Sequence, residues 1–91
     1  MSKIPEYSLD VIFRKFNGKA LISKPGQRNA YMLNDVSWRI WELIDGKRTS
    51  EEIIDIIANE FNASREEVSS DYYKLQEELV KYELITLKGD Q

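Results

Sequence analysis

The 91-residue chain contains no cysteine and no histidine. Without cysteine there is no disulfide frame and no thiolate chemistry, which fits a cytoplasmic location. Without histidine the commonest general base and the commonest metal ligand are both missing. Glycine and proline are scarce, at four and two, so turns are few and their positions informative. No apolar run is long enough to span a membrane, and the opening Met1-Ser2-Lys3 leads into no signal-peptide core. No Gly-rich phosphate loop and no cluster of metal ligands is present, so neither a cofactor nor a metal is expected. The adjacent carboxylates Glu51-Glu52 and Glu66-Glu67 are explained by helix capping and by the helix dipole. An enzyme is therefore not expected.

What is present is an ordinary globular composition, 42% hydrophobic and 32% charged, sized for one domain. The net charge of −3 conceals a division. Residues 1–34 hold six basic and two acidic side chains, for +4; residues 35–91 hold seven basic and fourteen acidic, for −7. The first part reads as strands and the second as helices.

Residues 1–8, with Pro5, read as a flexible lead-in. Leu9, Val11 and Phe13 alternate with Asp10, Ile12 and Arg14, predicting a first strand with one buried face. Asn17-Gly18 is a strong hairpin signal, since a type I′ turn needs positive φ at both central positions. Ala20-Leu21-Ile22 returns, Pro25-Gly26 turns again, and a third strand covers Asn29 to Leu33. This predicts a three-stranded meander with its second strand in the middle. Asn34 or Asp35 caps a first helix whose apolar stripe is Val36, Ile40, Trp41, Leu43 and Ile44, with Trp38 off the stripe and half exposed. Thr49 to Glu52 is a capping box opening a second helix, buried through Ile53, Ile54, Ile56, Ile57 and Phe61. Ser64 to Glu67 is a second box, opening a third helix with Val68, Tyr72, Leu75, Leu79 and Tyr82 on its buried face. Since Tyr72 and Tyr73 cannot share a face, one of them meets solvent or a groove. Leu84 to Leu87 suggests a short final strand, and residues 88–91 a polar tail. The fold class is α+β and resembles a winged helix-turn-helix: a three-stranded antiparallel β-meander followed by three α-helices.

A winged helix suggests a DNA-binding transcriptional regulator as one function. Its recognition helix would carry Arg65, Lys74 and Lys81 against Glu66, Glu67, Asp71, Glu77, Glu78 and Glu83, a net negative surface that phosphates repel. Nucleic acid is therefore not the expected partner. The third strand offers another possibility. Edge strands are usually protected by charge, proline or a bulge, and Asn29 to Asn34 has neither charge nor proline. Such an edge either lies under the third helix or accepts an extended peptide.

The run Leu33-Asn34, Ile40-Trp41-Glu42-Leu43, Asp45-Gly46, followed by Thr49 and Ile53 and then by Asp71, Leu75 and Leu79, resembles the PqqD family. The likeness covers residues 9–87. That family comprises small recognition domains for the leader peptides of ribosomally made, post-translationally modified peptides. The resemblance implies a non-catalytic adaptor to which a precursor's leader adds as a strand beside the third strand. It implies backbone pairing along Ala30, Tyr31, Met32 and Leu33, and groove side chains from Asp71, Tyr72, Lys74, Leu75 and Glu78. Glu83 stands where the family often has glycine, and Leu84 where it often has an aromatic residue. A free-standing chain of this size is similar to the separate leader-binding proteins of lasso-peptide clusters. The partners implied are a precursor peptide and a leader peptidase with its cyclase, or another modifying enzyme such as a radical enzyme. The free protein is expected to be monomeric, with the open strand edge as the route to a dimer.

Overall fold

The computed structural model describes residues 3–28 and 30–89. Its elements are β1 (Lys3–Tyr7), β2 (Ile12–Phe16), β3 (Lys19–Ser23), β4 (Tyr31–Leu33), α1 (Asp35–Leu43), α2 (Ser50–Glu60), α3 (Arg65–Lys81) and β5 (Ile85–Gly89). Strands β2, β3 and β4 form an antiparallel sheet with β3 in the middle, and β1 pairs with β5 in a separate two-stranded ribbon. The α+β class, the three-stranded meander and the three following helices are as the sequence predicts.

The turns follow from backbone chemistry. Asn17 and Gly18 both take positive φ, +52° and +76°, the type I′ geometry whose twist matches that of the flanking strands. At the second turn Gly26 has φ +87° and the Gln27 N–H donates to the Lys24 carbonyl at 3.1 Å, which closes the turn around Pro25-Gly26.

Each helix is capped by the residue that the sequence singles out. Asn34 Oδ1 accepts from the Ser37 N–H at 2.8 Å. Thr49 and Glu52 complete a capping box, with reciprocal bonds of 3.1 and 2.9 Å. At α3 the Ser64 hydroxyl accepts from the Glu67 N–H at 3.1 Å, and among the described residues no return bond from Glu67 accompanies it. The core gathers Ile40, Trp41 and Leu43 of α1, Ile53, Ile54 and Ile57 of α2, and Val68, Tyr72, Leu75 and Leu79 of α3 against Ala20, Ile22 and Leu33 of the sheet. A buried polar cluster joins α2 to α3. The Tyr72 hydroxyl lies 3.0 Å from Ser50 Oγ and 2.8 Å from Gln76 Oε1, and Ser50 donates to the same oxygen at 2.7 Å. Burial pushes the Tyr72 phenol up to about 12.

Several expectations are corrected. Residues 3–7, read as part of a flexible lead-in, form β1. Pro5 is buried opposite Leu87 at a position where its missing N–H does no harm. The Ser8 N–H bonds to the Leu84 carbonyl, so the bonded positions alternate past Pro5 and leave its ring nitrogen facing away from β5. Tyr7 then anchors the ribbon, its ring 4.5 Å from that of Trp41 and its hydroxyl donating to the Trp41 carbonyl at 2.5 Å. Burial, followed by the charge of Glu42, raises this phenol to about 12. The polar tail is shorter than expected, because β5 runs on through Lys88 and Gly89; residues 90–91 lie outside the described residues.

The first meander strand begins at Ile12, not Leu9, because Asp10 takes φ +68° and turns the chain. Leu9 is accordingly exposed, and Phe13, half out of the core, stacks on Tyr7, Trp38 and Trp41. Asn29, expected to begin the third strand, lies outside the described residues. Val36, Phe61 and Tyr82 are exposed instead of buried. Phe61 and Tyr82 are C-cap residues, where the chain leaves the helix and the stripe no longer points inward.

Glu83 follows the α3 C-cap with φ +60°, the left-handed conformation in which glycine is favoured. Replacing it relieves a Cβ clash at a site whose side chain is exposed. Glu83→Gly is expected to stabilise the fold by about 1 kcal/mol, read as a higher urea midpoint at an unchanged slope.

Candidate functional site

The register of the sheet decides which backbone groups of β4 are free. In a two-residue hairpin the closing pair, here Phe16 and Lys19, exchanges both main-chain bonds, and bonded and non-bonded pairs then alternate. Lys19, Leu21 and Ser23 therefore turn their N–H and C=O groups toward β2, whereas Ala20 and Ile22 turn theirs toward β4. Their partners there are Leu33 and Tyr31. It follows that the N–H and C=O of Met32, opposite Leu21, point away from the sheet. No strand pairs with this side of β4 among the described residues, and both Ala30 and Met32 are exposed. The edge is open, with a free donor and acceptor at Met32.

Beside the edge runs α3. It packs on α1, α2 and β5, and the Tyr31 side chain of β4 reaches it. The Tyr31 hydroxyl donates to the Glu78 carboxylate, and its ring stands 5.8 Å from that of Tyr82. Burial, then the hydrogen bond to Glu78, raises the Tyr31 phenol to about 12. It stays a neutral donor at any physiological pH. Gln27 closes the same end, its Nε2 donating to the Tyr82 carbonyl at 3.2 Å. Gln27, Ala30, Tyr31, Tyr82 and Leu84 line a cavity of about 200 Å³. A neighbouring depression on α3, about 290 Å³, is lined by Lys74, Glu77, Glu78 and Lys81.

The residues singled out from the sequence thus separate by environment. Met32 presents free backbone at the edge and the exposed Ala30 precedes β4, while Tyr31 and Leu33 turn their backbone to β3. Asp71, Lys74 and Glu78 are exposed on α3. Tyr72 and Leu75 are buried, so they support the helix from inside and do not line an open groove. Tyr73, the other member of its pair, is the one that meets solvent. Gln27, Tyr82 and Leu84 belong to the cleft although the sequence pattern assigns none of them to a binding site. Tyr82 carried a signal of sorts, as the last residue of a helical stripe placed beyond the helix end. Among the described residues no group of side chains is arranged to hold a metal, and no helix is long and apolar enough to cross a membrane.

The fold has close counterparts. TbiB1, solved in complex with the TbiA(β) leader peptide, superposes with a TM-score of 0.79 at 25% identity, over 93% of this chain and 99% of that one. The PqqD truncation of Methylobacterium extorquens PqqCD is described as a functional and stand-alone recognition element for ribosomally synthesised and post-translationally modified peptides. It superposes with a TM-score of 0.77 at 19% identity, over 91% of this chain and 88% of that one. No curated protein sequence matches the chain. The family model described as coenzyme PQQ synthesis protein D (PqqD) matches residues 20–85, a span that runs from β3 into β5 and includes the open edge and the facing helix. The chain belongs to the PqqD family.

Proposed function

We propose that this protein is a leader-peptide recognition module. It binds the leader of a ribosomally made precursor by β-strand addition to β4 and delivers it to modifying enzymes, a lasso-peptide leader peptidase and cyclase first among them. The observation that carries this reading is the open β4 edge, where the exposed Met32 turns its amide and carbonyl outward near a cleft lined by Ala30, Tyr31 and the Tyr82 cap of α3. An added strand gains affinity from main-chain bonds and selectivity from alternate side chains. One set of those side chains would enter the cleft between Tyr31 and α3; the other would lie beside Met32 on the opposite face. The complex of TbiB1 with a leader peptide supports the same use of a similar fold. The exposed carboxylates Asp71, Glu77 and Glu78 on α3 speak against a nucleic-acid groove at this helix.

Hydrogen exchange tests the mechanism. With a cognate leader, the amides of residues 30–34 should gain protection and exchange in α3 should slow. Protection confined to α2 or β5, with β4 unchanged, would reject strand addition even for a tight complex.

A further inference from the structure

The face of the β2–β3–β4 sheet turned away from the helices is not covered by anything among the described residues. Because side chains alternate, Phe13 and Lys15 share the core side with Ile22 and Ala20, and Ile12, Arg14 and Phe16 point outward with Leu21 and Met32. Phe16, Met32 and Ile12 remain 67%, 62% and 50% exposed, large values for apolar side chains of a regular sheet. Arg14 lies on the edge strand β2, between Ile12 and Phe16 along the same face and opposite Leu21 across it. A depression of about 250 Å³ on this face is lined by Ile12, Arg14, Leu21, Ser23 and Ala30.

The charge around the face has one sign. From Val11 to Asn34 the sequence has no carboxylate but five cations, Arg14, Lys15, Lys19, Lys24 and Arg28. None of the five forms an ion pair among the described residues, whereas Arg39, Arg48 and Arg65 in the helical half are all paired. Aromatic, methionine and arginine side chains are the types enriched at the centres of protein interfaces.

We propose that this sheet face docks an acidic, apolar surface of the modifying enzyme. The complement of exposed apolar groups interleaved with unpaired cations is an apolar surface bearing carboxylates. An anionic bilayer has the right charge but the wrong layout. Interfacial binders keep their cations at headgroup level around an apolar centre, and here Arg14 stands between the exposed Ile12 and Phe16 and would be drawn with them toward the acyl chains. A carboxylate on a protein can meet it in place. The face also shares Ala30 and Met32 with the β4 edge, so an enzyme seated on it would lie against a peptide added there. This last point rests on the proposed leader binding; the docking face itself does not.

The test uses the whole protein and a purified modifying enzyme that acts on its cognate precursor, with and without leader. Arg14→Glu and Phe16→Ser are exposed changes outside the β4 edge, and circular dichroism checks that both variants keep the fold. The double variant should lose at least tenfold in affinity for the enzyme while its affinity for the leader stays within twofold. Enzyme affinity unchanged within twofold would overturn the proposal. So would a double variant whose enzyme binding is intact but which no longer binds vesicles containing 30% phosphatidylglycerol. A wild-type dimer in sedimentation that the double variant dissolves, with enzyme binding intact, would overturn it too. Because enzyme binding is also read without leader, failure of leader capture would leave this result interpretable on its own.

Discussion

Ile57→Ala should lower the stability of the fold by about 2–5 kcal/mol, the range for removing a large aliphatic side chain from a packed interior. Ile57 is fully buried, as are Ile53 and Ile54 on the same helix, and together they form the floor on which α1, α3 and the β1–β5 ribbon rest. The β-branched side chain fills a site bounded by fixed secondary structure on several sides, which limits how far the cavity can collapse. Total stability for a domain of this size is only on the order of 5–15 kcal/mol. The variant would therefore unfold at markedly lower urea concentration. A loss below about 0.5 kcal/mol, the scale of ordinary surface substitutions, would mean that the α2 face is not packed as described.

Met32→Pro should weaken leader binding by roughly 10–100-fold with little change in stability. The pyrrolidine ring removes the one outward donor of β4 and places a methylene where an incoming carbonyl must approach, effects together worth about 1.4–2.8 kcal/mol. Proline is tolerated at an edge position whose N–H faces solvent, and the residue before it, Tyr31, is already extended as a proline requires. Binding is read by calorimetry and folding by urea titration on the same sample. If affinity is unchanged in a folded variant, the peptide does not pair with Met32. If the fold is lost, the Met32 amide is bonded within the sheet, contrary to its register.

The contrast between these two substitutions shows what the sequence makes legible. The isoleucines of α2 recur at helical spacing after a capping box, so both their burial and the start of the helix can be read from residue types alone. The same holds for Asn17-Gly18, whose turn geometry then propagates by strict alternation as far as Met32. The β1–β5 ribbon is invisible to that method. Its register depends on a contact between the two ends of the chain, and its single proline argues locally against a strand while being harmless in the position it takes. The first meander strand was displaced for a related reason. The alternation from Leu9 to Phe13 is genuine, but a positive φ at Asp10 breaks it, and aspartate signals this less clearly than glycine. At the cleft, the edge residues were legible through the absence of charge and proline. The end formed by Gln27, Tyr31 and Tyr82 was not, since it is assembled from a turn, a strand and a helix cap that only the tertiary fold brings together.

The ribbon has a consequence for how such a domain can be carried within larger polypeptides. Lys3 lies directly opposite Gly89, so the two limits of the described residues stand side by side, on a sheet separate from the one that holds β4. Sequence attached at either end, or at both, would extend from the same ribbon and not from the sheet that holds β4. A domain of this topology can be spliced into an exposed loop of a host protein, or have its ends joined and be reopened at the Asn17-Gly18 hairpin, as an interchangeable cassette.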